Sequence, residues 1–407
     1  MSDSDRMGSE EFLLQCLSSG RGPLAVSREL VDWNAVTTIA ADHILTPLLY
    51  KRLKESDANA LVPADLWERM RQVYVASAVR SMCFERDLRG VLRSLRSSGI
   101  NVVVLKGMFL AEVVYGDAAL RSMADVDIMV PREELPRVQA TLLDMGFAPR
   151  EREDTELRCR TTKGLAPFTR SGFMVEPHWN LSHPTSPFRT DVDGLWARAR
   201  PATIAGVEVL ALSPEDLLLH LCLHTVHKHS LGLGLLPFCD IAETVRHYAG
   251  ELEWSRLADR AREWGAARHV GLALDLARSL LDAEVPGFVL EQLIAGGLDS
   301  RTLETARESV LVRTGYGQWV PFFDEFGARS FGDKVRVSWE RVFLSREQMV
   351  TRYPASRAAR FLWPYYALRV RDVARAFGSY VRRRGRLMIL SRGRDPSAAL
   401  VKWLNGD

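Results

Sequence analysis

Two aspartates one residue apart, Asp125 and Asp127, lie in an apolar run near the end of residues 101–130, NVVVLKGMFLAEVVYGDAALRSMADVDIMV. Alternate side chains of a strand share a face, so both carboxylates point one way while Val126 and Ile128 point into a core. Carboxylates held side by side repel each other unless a cation lies between them. Magnesium suits that place, with manganese as the alternative, because it takes oxygen ligands and leaves coordination positions for phosphates. Upstream, the apolar run 102–105 stops at Lys106-Gly107, and a glycine turn lets backbone approach phosphate oxygens closely. Downstream, 173–179 places Met174, Glu176 and His178 on one strand face, so Glu176 can join the aspartates as a third carboxylate.

These residues need a strand, a turn, a helix and a second strand between 101 and 130, followed by further strands at 147–150, 165–169 and 173–179. A helix is expected at 131–146, with Pro131 at its start, Glu133 and Glu134 in its first turn and Gly146 at its end. Residues 11–99 carry apolar positions at helical spacing, with Pro63 and Asp65 opening a long helix that Gly99 closes. A further helix over 213–229 starts on a capping box, Ser213 with Asp216. The pattern predicts an α+β fold: a small mixed sheet flanked by helical regions. The expected divisions are 1–99 helical, 100–212 core, 213–329 helical and 330–407 an arginine-rich helical region.

The chain has 407 residues, 47% hydrophobic and 26% charged, the profile of a globular protein of two or three domains. Its first residues are polar and acidic, and no apolar run reaches the eighteen or so residues needed to span a bilayer, so a cytoplasmic location is expected. Five scattered cysteines without a CxxC pair indicate neither a disulfide framework nor a cysteine zinc site. His220 and His224 have the i,i+4 spacing of zinc ligands, but Leu221 stands where HExxH has glutamate, and zinc is set aside. The net charge of +3 implies no polyanionic partner for the whole molecule.

The cations are unevenly chosen: only seven are lysines, at 51, 54, 106, 163, 228, 334 and 402. Against that arginine background, a lysine just before the glycine turn stands out. Between Arg336 and Arg394 fifteen arginines meet three acids, with interleaved aromatics. That segment is a candidate surface for RNA, an acidic partner or an anionic membrane face, or a set of amphipathic helices in an arginine-rich chain.

The Lys-Gly turn, the block Arg121, Asp125, Asp127, Val130, and the helix ending in Gly-Phe resemble the nucleotidyltransferase superfamily related to DNA polymerase β. More narrowly they are similar to a bacterial branch known simply as nucleotidyltransferase family proteins. HILTPLLYKRL, VEPHWNLS and LSPEDLLLHLCLHTVHKH extend the resemblance over roughly 35–250. It implies that Asp125, Asp127 and Glu176 bind magnesium and carry catalysis, that Gly107 forms the phosphate-side turn, and that Lys106 and Arg121 neutralise triphosphate oxygens. The implied substrates are a nucleoside triphosphate and an acceptor that is a small molecule, a protein or RNA. Candidate substrate contacts are His178, on the face of Glu176, and His224 and Lys228, from a helix packed beside the site. One departure is clear: Gly107 is followed by Met108, where the superfamily usually has serine or glycine. A binding-only module built on the same fold is therefore the alternative.

Overall fold

Short apolar runs bounded by turns pair into one mixed sheet in a computed structural model. The structure describes residues 3–18, 31–150 and 162–311, apart from 185, 230, 295 and 296, together with scattered residues between 343 and 404. Most of the arginine-rich segment 330–407, and Cys159, lie outside the described residues.

The strands are β1 (Val103–Val104), β2 (Val126–Met129), β3 (Ala148–Pro149), β4 (Phe168–Arg170), β5 (Phe173–His178), β6 (Arg200–Ile204) and β7 (Val207–Ala211). Their order is β3-β4-β5-β2-β1-β7-β6. β2 is parallel to β5, and β1 to β7, while the remaining neighbours are antiparallel. Two hairpins have two-residue turns with both residues left-handed, Ser171-Gly172 (φ 50 and 84) and Ala205-Gly206 (φ 51 and 68). Such turns match the twist of the flanking strands, so they fix the register of β4 on β5 and of β6 on β7.

The N-terminal helices are α1 (Asp3–Leu17), α2 (Trp33–Asp42), α3 (Thr46–Glu55) and α4 (Ala64–Ser97). Pro63 precedes α4 as expected, and Gly99, at φ 72, turns the chain out of it. After β1 comes α5 (Lys106–Phe109), which widens into a π turn over Leu110–Val114. α6 (Leu135–Asp144) follows β2, opening through a 3-10 turn at Arg132–Glu134 and closing at Gly146, φ 80. Beyond the strands lie α7 (Val192–Arg198), α8 (Pro214–Leu223), α9 (Leu236–His247), α10 (Trp254–Glu263), α11 (Ala267–Leu281), α12 (Gly287–Leu293) and α13 (Ser300–Leu311). Ser213 caps α8 by accepting the Asp216 N–H. The Asp216 carboxylate is bonded to the Ser213 hydroxyl, Arg198 and Arg260, so the cap is also a buried ionic knot.

Val103, Val126, Ile128 and Val175 of the central strands are fully buried, in one cluster with Leu88, Leu92 and Leu95 of α4. Burial of each such side chain contributes roughly 1.5–3 kcal/mol, and together they hold β2 rigidly between β1 and β5. The α+β class read from the sequence is the class observed. Among the described residues no helix is long and apolar enough to cross a membrane.

Candidate active site

β2 delivers Asp127 and β5 delivers Glu176, and the parallel pairing sets these two residues opposite each other. Two neighbouring contacts lock that register: Val130 N–H donates to the His178 carbonyl at 2.9 Å, and Leu105 N–H donates to the Asp127 carbonyl at 3.0 Å. The second bond places Lys106, the next residue, beside Asp127, and its ammonium donates to Asp127 Oδ2. The other oxygen, Oδ1, is 2.7 Å from His178 Nε2. Asp127, Lys106 and His178 are buried and form the floor of the cluster. Asp125, Glu176 and Lys163 are half-buried and Lys228 is exposed, so these four form its open rim.

Burial disfavours the Asp127 anion, but Lys106, His178 and Lys163 outweigh that cost and hold its carboxyl well below the usual range. Burial also opposes the Lys106 charge, yet Asp127 and Asp125 keep its pKa above the ordinary value. Glu176 goes the other way: burial first, then the charges of Asp127 and Asp125, push its carboxyl up against the pull of Lys228 and Lys106. Burial and the Lys163 charge lower His178 to about 3 despite its bond to Asp127. The ring is therefore neutral, and because an ionised carboxylate only accepts, its proton is on Nε2. Nδ1 is buried and unpartnered among the described residues. Gly164 lies against this ring: a Cβ there would come within 2.2 Å of the Pro177 carbonyl and 3.0 Å of His178 Nδ1.

One ligand atom each from Asp127, Glu176 and His178 lie within 4.8 Å of one another. The two carboxylates suit a hard divalent ion, and the Lys106 ammonium already balances Asp127 as a cation would. His178 is the least ready donor, since Nε2 holds a proton toward Asp127. Asp125 precedes β2 by one residue and is not part of this three-residue group. Its charge nonetheless acts on Lys106, Arg121, Glu176 and Lys228. The Gly107 turn lies beside it: a Cβ added at Gly107 would sit 3.7 Å from the Asp125 carbonyl oxygen.

Other candidates have different partners. The Arg121 guanidinium donates to Asp240, at 3.0 Å from Nη2 and 3.3 Å from Nε, and Tyr115 donates its hydroxyl to the same carboxylate at 3.0 Å. Asp240 is a buried residue of α9, and these bonds tie the loop before β2 to that helix. His224 shares an Nε2–Nε2 contact of 3.0 Å with His229, and Lys228 ends the π turn that follows α8. Sequence reasoning passed over Lys163, whose charge acts on Asp127 and His178 and is itself acted on by Lys228, Asp127, Lys106 and Glu176. Two signals point to it: lysine is scarce, and 163–164 repeats the Lys-Gly pair of 106–107.

A family model described as "Uncharacterised nucleotidyltransferase" matches residues 29–282. The chain belongs to this nucleotidyltransferase family. The matched span contains both central strands, the Lys-Gly turn and the α8–α9 layer, so the whole cluster falls inside it. No curated protein matches the chain. A solved structure of the antibiotic-resistance factor ANT(2'')-Ia aligns at 14% identity over 45% of this chain and 94% of that one, with a TM-score of 0.33. A likeness of that degree carries no weight for the function of this chain.

Proposed function

We propose that this nucleotidyltransferase moves a nucleoside monophosphate group from a nucleoside triphosphate to an acceptor hydroxyl or phosphate, with magnesium, or alternatively manganese, as the cofactor. The observation that supports this best is the pairing of Asp127 with Glu176 on adjacent parallel strands beside the Lys106-Gly107 turn. In the reaction an acceptor oxygen attacks the α-phosphorus, the bond from that phosphorus to the bridging oxygen breaks, and pyrophosphate leaves with the electron pair. Asp125, Asp127 and Glu176 would hold the divalent ion, which when bound neutralises the phosphates and draws charge from the α-phosphorus.

Each residue has a distinct task in this reading. Asp127 stays anionic because Lys106 and His178 hold both of its oxygens. Glu176, on the rim, offers one oxygen as a ligand and the other to the acceptor's proton. Lys106 and the Gly107 backbone face the phosphates. Arg121, engaged with Asp240, positions the loop that presents Asp125. His224 and Lys228 approach the substrate from the helical side.

A second reading, a binding-only module, rests on Met108, whose fully buried side chain supplies no hydroxyl at the turn. Calorimetric titration with each nucleoside triphosphate, with and without Mg²⁺, separates the two. Metal-dependent binding supports transfer chemistry, and absence of binding for every triphosphate supports the module.

A further inference from the structure

Helix α4 carries an apolar stripe on the side that faces water. Val75, Val79 and Met82 are 44%, 56% and 67% exposed, and Ala76 and Cys83 beside them are exposed as well. The spacing 75, 76, 79, 82, 83 puts all five on one helical face. The opposite face is already buried, with Leu66, Met70, Phe84, Leu88 and Leu92 in the core. Two buried serines fix the rotation of the helix: Ser77 donates its hydroxyl to the Ala119 carbonyl and Ser81 to the Ala118 carbonyl, each at 2.7 Å. The stripe is therefore held outward, and its apolar side chains stay in water unless another surface covers them.

The charges along the same stripe are ordered. Asp65 and Glu68 lie at its N-terminal end, Arg86 and Arg93 at its C-terminal end, and Asp65, Gln72, Val79, Arg86 and Arg93 are spaced by seven. Asp65 and Glu68 bond Arg69 and Arg71 of their own helix, and Arg86 bonds Asp87; exposed pairs of this kind contribute little and exchange readily. A face that is acidic at one end, apolar in the middle and basic at the other complements itself when reversed.

A two-fold axis through Val79, perpendicular to the helix, sets residues equally far before and after Val79 against each other across two copies. Val79 then meets Val79, Ala76 meets Met82, Val75 meets Cys83, Gln72 meets Arg86 and Asp65 meets Arg93. Glu68 falls opposite Gly90, between Arg86 and Arg93. Small side chains face larger ones near the centre, and opposite charges meet at both ends. Parallel alignment would set each charge against its own copy, so the pattern selects the antiparallel arrangement.

We propose that the outer face of α4 is the contact between two copies of this chain, packed antiparallel about a two-fold axis at Val79. From Asp65 to Arg93 the stripe is about 42 Å long at 1.5 Å per residue. One helix pair covers less than the roughly 800 Å² per partner of a standard interface, so the dimer forms reversibly at micromolar concentrations. The stripe is on the side of α4 turned away from the core, so the dimer does not rest on the transfer reading.

The test is sedimentation velocity on the full chain at rising micromolar concentrations, where monomer should give way to dimer. Val79→Asp sets like charges face to face on the axis and should raise the dissociation constant by about 10-fold or more. Asp65→Arg should weaken the dimer by meeting Arg93, and adding Arg93→Asp should restore it. In a Cys83→Ser background, Val79→Cys should give a disulfide-linked dimer on mild oxidation. These positions are exposed, so thermal unfolding of each variant in dilute solution should stay close to wild type, which separates loss of the contact from loss of the fold. A chain that stays monomeric at every concentration, or a dimer indifferent to Val79→Asp, overturns the contact and leaves the stripe to a different partner. A charge exchange that does not restore the dimer, or no cross-link through Val79→Cys, overturns the antiparallel arrangement.

Discussion

Asp127 is the residue on which catalysis and stability meet. Its oxygens accept from a buried lysine and a buried neutral histidine, so the floor of the site is a satisfied ionic network before any substrate arrives. Replacing Asp127 with Asn leaves Lys106 as an unmatched buried cation, and breaking such a pair costs about 3–5 kcal/mol. Chemical denaturation should show this loss in Asp127→Asn, whereas Glu176→Gln should be at least as stable as wild type, because burial first, and then the Asp127 and Asp125 charges, disfavour the Glu176 anion. Equal stability of Asp127→Asn and wild type would mean that the Lys106 contact does not hold in solution. Asp125→Asn is accordingly the cleaner variant for function. At this scale the sequence was informative about charge and silent about partners. Asp127 and Glu176 do face each other on paired strands, as alternation leads one to expect, whereas Asp125, one residue before β2, is not part of the group they form with His178. Lys163 was not legible, because its position depends on Gly164 meeting His178 across a bridge that no local pattern announces.

Among the elements, β2 does least on its own: four residues, all buried, gain their order from β1 and β5. The segment leading into β2 is held from outside, by the bonds of Arg121 and Tyr115 to Asp240 of α9. Arg121→Met removes that half-buried cation and strands the buried Asp240 carboxylate, so a loss of about 3–5 kcal/mol is expected in denaturant unfolding, with triphosphate affinity weakened through Asp125. A variant with full stability and unaltered binding would show the clasp to be dispensable. The helices were readable from caps and periodicity: Pro63, Gly99, Ser213 and Gly146 each mark the boundary that the chain uses. Strand ends were less readable. The run at 165–169 splits, with Leu165 paired to the Pro177 carbonyl and the strand proper starting at Phe168, because a glycine bridge interrupts the ladder. Arg121 looked like a phosphate ligand because the motif shows its neighbours in sequence, while Asp240 lies far along the chain.

Over the whole molecule, packed layers keep several histidines neutral. His269 of α11, lined by Phe188 and His227, has its pKa lowered to about 3, by burial first and then by the charges of His227 and Arg268. Its unfolded counterpart takes a proton near the ordinary 6.5, so between these values the unfolded state binds more protons and stability falls as the pH is lowered. The slope this contributes is about 1.4 kcal/mol per pH unit, present below roughly pH 6.5 and ending near the folded value. Denaturant midpoints across pH 4–7 should flatten in His269→Gln relative to wild type, and parallel curves would deny His269 that share. The layered α+β plan that encloses it was visible in the alternation of patterns along the chain, whereas the meeting of the 163–165 stretch with the end of β5 belongs to tertiary structure alone. The central claim, that acidic residues from β5 and from the approach to β2 serve a divalent ion and a triphosphate, is tested most directly by calorimetric binding of nucleoside triphosphates to wild type, Asp125→Asn and Glu176→Gln with and without Mg²⁺. Wild type should bind at least one triphosphate only when the metal is present, and both variants should lose that dependence while remaining folded. Binding that is indifferent to metal and to both substitutions, or no binding of any triphosphate, would contradict it.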